Sequence, residues 1–155
     1  MWGDQLKQHL DKNRVKYVTI AHSPAFTAQE VAATAHVPGR EMAKTVMVKL
    51  DGKIAMAVLP ASERVVFDLL RDATGAHSAE LATEGEFASL FPGCERGAMP
   101  PFGNLSGLDV YVDRDLAADE TIAFNAGSFT EVIQMRYADF ARLVQPKVAK
   151  FAAES

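Results

Sequence analysis

Two short stretches carry the residue types that chemistry needs. The first is Arg96-Gly97-Ala98-Met99-Pro100-Pro101-Phe102-Gly103. Its prolines fix φ and remove amide donors. Its glycines allow positive φ and let a ligand approach the backbone closely. Such a loop is stiff, and its functional groups are amides and carbonyls; read alone, it also serves as punctuation between elements. The second stretch is Ala43-Lys44-Thr45-Val46-Met47-Val48-Lys49. Alternation puts Lys44 on the Val46 and Val48 side of a strand. A lysine there either snorkels to water or holds its amine at a pocket mouth as a point charge.

Other catalytic constellations do not show in the sequence. It has no Cys-x-x-Cys, no His-Glu-x-x-His, no Walker loop and no Gly-x-Ser-x-Gly. His9, His22, His36 and His77 lack metal-ligand spacing, so neither a metal nor a cofactor is expected. His22, at a strand-to-loop exit, is the least bland of the four. Cys94 is the one cysteine, with no neighbouring histidine or helix start to activate it. A triad of Ser, His and Asp assembled by the fold is neither shown nor excluded.

The 155 residues fit one domain, 1–155, with no repeat, linker or low-complexity segment. The net charge of −4 gives no global field for nucleic acid, so such a partner would be held by a local patch. Lys7, Lys12, Arg14 and Lys16 are either a solvated face or a phosphate contact. No apolar run is long enough to span a bilayer, and no signal peptide opens the chain. A lone cysteine fits a reducing compartment, and a cytoplasmic protein is expected.

The elements that must position these residues follow in order. A helix is expected over 4–13, with Leu6 and Leu10 on one face. A strand follows over 15–21, then a helix opened by the Thr27-Ala28-Gln29-Glu30 capping box and ending near Ala35. Asp51-Gly52 joins strands 43–50 and 53–59 as a hairpin. Ser62 is read as the cap of a helix over 63–73 stopped by Gly75. A second capping box, Thr83 to Glu86, opens a short helix to about Phe91. Strands are expected at 108–113, 121–125 and 129–135, and an amphipathic helix over 137–144. The tail is read as a short helix or frayed. This order lacks regular βα alternation. The fold class is therefore α+β, with a mixed, largely antiparallel, barrel-like sheet surrounded by helices.

The set of motifs resembles the YbaK / prolyl-tRNA-synthetase-associated editing domain family. His22-Ser23-Pro24-Ala25 with Thr27-Ala28-Gln29-Glu30, Ala43-Lys44-Thr45 and Val58-Leu59-Pro60 match in order. Gly97 to Pro101 fits the family's Gly-x-x-x-Pro loop, and Asn125-Ala126-Gly127-Ser128 fits its late glycine turn. The resemblance implies a free-standing aminoacyl-tRNA deacylase that hydrolyses a mischarged ester after the synthetase has erred. It implies Lys44, Gly97 and Pro101 as the catalytic set. His22, Phe26, Thr27, Thr45, Met47, Met99, Gly103, Asn125, Gly127, Ser128 and Phe129 are the substrate-binding candidates.

The physical logic supports that expectation. Lys44 would hold a phosphate or the carbonyl region, and loop amides would hold the developing oxyanion. A positioned water would attack, with help from the tRNA 2′-hydroxyl. A pocket of limited size would act as a second sieve for alanine, cysteine, serine or threonine. Relatives carry a histidine after the late turn where this chain has Ser128-Phe129, so a histidine role does not transfer. The expected partners are the acceptor end of mischarged tRNA and an aminoacyl-tRNA synthetase, without a membrane. The alternative is a non-catalytic module on the same fold that binds an aminoacyl- or nucleotide-like ligand or a protein.

Overall fold

The computed structural model describes residues 2–154 other than Phe26 and Arg96, with Trp2 described in its backbone. The helices are α1 (Trp2–Lys12), α2 (Ala28–Thr34), α3 (Phe67–Thr74), α4 (Glu84–Phe87), α5 (Arg114–Ala117) and α6 (Tyr137–Val144). The strands are β1 (Tyr17–Ala21), β2 (Ala43–Leu50), β3 (Lys53–Pro60), β4 (Glu63–Val65) and β5 (Ala79–Leu81). They continue with β6 (Val110–Asp113), β7 (Thr121–Asn125), β8 (Glu131–Arg136), β9 (Lys147–Ala149) and β10 (Ala152–Glu154).

Local chemistry accounts for many of these elements. Asp51 and Gly52 both take positive φ, 51° and 82°, which matches the right-handed twist of the flanking strands. The β2–β3 ladder runs in register from Ala43 opposite Pro60 to Leu50 opposite Lys53. Thr27 caps α2 by accepting the Glu30 amide. Thr83 and Glu86 form the reciprocal capping box of α4. Gly75 closes α3 in the left-handed conformation.

The sheets are β5-β2-β3-β6-β9, β1-β8-β7 and β10-β4. The mixed α+β class holds, but the sheet is not a closed barrel. Among the described residues, one isolated parallel bridge, Met42 to Ala123, joins the five-stranded and three-stranded sheets. Two expectations give way to long-range pairing. Residues 63–65 are strand, not the start of a helix, because they pair antiparallel with Ala152–Glu154. Ser62 therefore caps nothing, and α3 begins after Val66, which offers no side-chain cap. The tail is neither helical nor frayed. Its first part adds to β6 in parallel, and its second part pairs with β4. Helix propensity is a weak prior beside a partner strand.

Three apolar clusters divide the interior. The largest contains Leu6, Leu10, Met47, Met56, Phe102, Phe124 and Phe140. Phe102 meets Phe140 edge-on at 5.4 Å and Phe124 at 5.7 Å, geometry that suits aromatic quadrupoles. A second cluster seats α2 on the three-stranded sheet through Val31, Ala32, Met42, Ala123 and Val132. The third lies on the other face of β2 and β3, where Val48, Ala57 and Leu59 meet Leu70 and Phe151.

Asp113 ties the tail to this frame. It is fully buried, and its Oδ1 accepts the Phe151 and Ala152 amides at 3.0 and 2.9 Å. Its Oδ2 accepts the Asp115 amide at 3.0 Å and so caps α5. Asp113→Ala strands these amides and is expected to cost about 3 kcal/mol in urea unfolding. An Asp113→Asn variant that keeps wild-type stability would show that the charge is immaterial.

Candidate active site

The late glycine turn is the meeting point of three segments. Gly127 adopts φ 95°, and a Cβ added there would lie 3.4 Å from the Cys94 sulfur. Its amide donates to the Ala98 carbonyl at 3.0 Å, and its carbonyl accepts from the Glu95 amide at 2.8 Å. The Glu95 carboxylate then accepts the Phe129 amide at 2.5 Å. Gly97 takes φ 84°, and a Cβ there would meet the Phe129 ring at 3.4 Å. On the other side, the His22 amide donates to the Thr130 carbonyl and the Ala25 amide to the Phe129 carbonyl. His22, Gly97, Gly127, Ser128 and Phe129 are thus brought together from widely separated positions.

A cavity of about 570 Å³ opens beside this turn. Ala21, His22, Gly93, Glu95, Ala126, Gly127 and Ser128 line it, with Gly3, Asp4 and Lys7 of α1 opposite. Gly3 permits the close approach, since a Cβ would lie 2.7 Å from the Ala126 carbonyl oxygen. Lys7 pairs with Glu131 at 2.5 Å at the cavity wall. The His22 Nδ1 lies 2.7 Å from the Ser23 carbonyl, while its buried Nε2 has no partner among the described residues.

Lys44 is the second residue of β2, on the side of Met42 and Val46. β2 packs against β7 here, and Met42 is bridged to Ala123. Lys44 therefore lies on the sheet face that also carries Asn125, two residues beyond Ala123. Lys44 is half-buried. Burial pushes its amine below the usual lysine range, and the nearby charge of Glu63 works in the opposite direction.

The remaining candidates separate by environment. Met47 and Met99 are buried in the largest cluster on the opposite face of the hairpin. Gly103 packs there too, where a Cβ would meet the Met56 methyl at 3.1 Å. Pro101 is buried as well. Thr45 lies on the Met47 side, opposite Val58. Thr27 is an exposed helix cap. Phe26 lies outside the described residues. The glycine-proline loop thus spans two settings, Gly97 at the turn and Met99 to Gly103 in the core.

Sequence reading missed Glu95, the side chain that fixes the Phe129 amide. An exposed glutamate two residues ahead of a glycine carries no local signal of a bond made 34 positions later. It also missed Glu63, the carboxylate nearest in effect to Lys44. Glu63, Asp113 and Asp115 converge, with one oxygen from each within 4.8 Å of the others. Lys150 already sits among them, 3.0 Å from Asp115, 3.6 Å from Glu63 and 3.8 Å from Asp113. Burial, followed by the charges of Asp115 and Asp113, raises Glu63.

The sequence profile of the aminoacyl-tRNA editing domain family matches residues 22–143, which span all the segments at the turn. The chain belongs to this family and is an enzyme of the aminoacyl-tRNA deacylase class. It is 32% identical to the Multifunctional Ser/Thr-tRNA deacylase ProXp-y of Escherichia coli K12, over 92% of this chain and 87% of that protein. The same values hold for the O157:H7 protein. The fold matches the crystal structure of a candidate trans-editing enzyme for prolyl-tRNA synthetase. The TM-score is 0.81 at 19% identity, with 98% and 97% of the two chains covered. A hypothetical protein of known structure matches with a TM-score of 0.83 at 21% identity, covering 96% and 99%. Among the described residues, no helix is long and apolar enough to cross a membrane.

Cys94 provides a check on the surroundings of the turn. Burial pushes its thiol up to about 11. At pH 8 its thiolate fraction is then about 100-fold below that of an ordinary exposed thiol. Iodoacetamide is expected to label it slowly in the folded protein and at the normal rate in denaturant, as read by mass spectrometry.

Proposed function

We propose that this protein, acting over its whole length as one editing module, deacylates tRNA mischarged with a small amino acid of the serine, threonine, alanine or cysteine class. The observation that carries this reading is the convergence of His22, Gly97 and the Gly127–Phe129 turn on the sheet end that bears Asn125 and Lys44. The 32% identical relative named as a Ser/Thr-tRNA deacylase supports the substrate class.

An aminoacyl ester is already activated, so positioning and charge supply most of the needed help. Several amides near the turn are already engaged. Ala98 donates to Glu95, Gly127 to Ala98, and Phe129 to the Glu95 carboxylate. The Gly97 amide, in the part of the loop that faces Phe129, would serve as the donor for the ester oxygen. Lys44 would steady the phosphate or carbonyl region of the terminal nucleotide. Water attacks the carbonyl carbon, the bond to the ribose oxygen breaks, and the amino acid and free tRNA leave. The ribose 2′-hydroxyl lies beside the reacting ester and is the group to relay the proton. Cys94, with its raised pKa, takes no nucleophilic part. Pro101 acts from the core by stiffening the loop. With a net charge of −4, the protein would grip only the acceptor end, and a synthetase partner would supply further tRNA affinity.

The test is hydrolysis of a panel of mischarged tRNAs by wild type, Lys44→Ala and Lys44→Arg. Wild type is expected to release at least one small amino acid, and Lys44→Ala to lose about 100-fold or more in kcat/KM. Tight binding without turnover on any member would leave a binding module instead. The pH profile carries a sign. Because burial lowers the Lys44 pKa, its charge is present at lower pH and is lost as pH rises through a value below the usual lysine range. Enzymatic hydrolysis, after subtraction of the spontaneous rate, is expected to fall on that alkaline side. Lys44→Arg keeps its charge and should move the fall to higher pH.

A further inference from the structure

Asn125 ends β7 immediately before the glycine turn. It is 7% exposed, and its Oδ1 accepts no hydrogen bond among the described residues. Buried polar atoms in folded proteins are paired in the large majority of cases, so a bare acceptor calls for a physical reason. Strand alternation gives its direction. Ala123, two residues earlier, and Val132, its cross-strand partner, both belong to the cluster under α2. Met42, bridged to Ala123, belongs there as well, and Lys44 lies two residues further along. Asn125 therefore shares a face with Lys44, at the end of the sheet that borders the turn.

We propose that Asn125 Oδ1 accepts the side-chain hydroxyl of a seryl or threonyl group esterified to tRNA, and so separates hydroxyl-bearing amino acids from alanine. This rests on the deacylase reading above. The acceptor is closed to solvent in the free protein, so the Asn125 amide must turn toward the incoming hydroxyl to meet it, with little further desolvation on the protein side. An alanyl group would leave the acceptor bare, and a site built to bond a hydroxyl rejects analogues that lack it far better than size alone does. Serine and threonine carry the hydroxyl on the same carbon, so one acceptor serves both. Cysteine offers only a weak S–H donor. The position is well fixed for this task. Asn125 is paired with Val132 in the β7–β8 ladder, and the next amide, Ala126, donates to the Glu131 carbonyl at 3.0 Å. A selecting group on a strand end is held more precisely than one on a loop.

The experiment measures kcat/KM of the full chain on seryl-, threonyl- and alanyl-tRNA for wild type, Asn125→Ala and the near-isosteric Asn125→Leu, with urea unfolding of each. The expected result is a fall of about tenfold or more in the seryl-to-alanyl ratio in both variants. The threonyl-to-alanyl ratio should fall alike. Because the acceptor is unpaired in the free protein, Asn125→Leu should unfold at the wild-type urea concentration or above it. Equal losses on all three substrates would overturn the proposal, since Asn125 would then hold a group common to every aminoacyl-tRNA. Unchanged ratios would also overturn it, as would a clear loss of stability in Asn125→Leu. Wild type inactive on all three tRNAs would instead strike the deacylase reading itself.

Discussion

The bonds between Gly127 and the Glu95–Ala98 turn are the constraint on which the site depends. Two backbone hydrogen bonds and one carboxylate join segments that enter from different elements. Both glycines sit at positive φ with a neighbour at 3.4 Å from any added Cβ, so neither position readily accepts a side chain. The His22 segment hangs from the carbonyls of the same turn. Loosening that turn would separate three walls at once. The β7–β8 ladder beneath it supplies the rigidity that the loops lack.

Much of the frame was legible because its signals are local. The Asp51-Gly52 hairpin, the Thr27 and Thr83 caps, the Gly75 stop and the 137–144 helix each depend on residues a few positions apart. Residues 63–65 and the tail were not legible, because each is a strand only by virtue of the other. The site shows the same division. The side of β2 that bears Lys44 follows from alternation, and the glycines at 97 and 127 follow from their motifs. Met47, Met99 and Gly103 stand beside those motifs in sequence yet pack in the core, because alternation and the loop's course carry them to the other face. Glu95 could be found only by knowing which distant amide it meets.

The charge arrangement is economical for an acidic protein. Lys7 is paired with Glu131, Lys49 with Glu86 and Lys150 with Asp115. These contacts keep much of the positive charge inside the protein's own network. Lys44 differs, being half-buried and influenced by Glu63, with no contact ion pair among the described residues. Its field is therefore available to a ligand, and low surrounding dielectric makes each unit of charge count for more than it would in water.

The route by which the tail joins the frame bears on the order of assembly. β9 extends β6 in parallel, and β10 pairs with β4, so both strands close very long loops of chain. Contacts of such separation form slowly, since the entropy of loop closure is lost before the ladder repays it. The face of β2 and β3 that receives Phe151 stays partly uncovered until that residue docks. Until then the folding chain exposes an apolar surface and an open β6 edge, the kind of transient surface that favours aggregation of partly folded states.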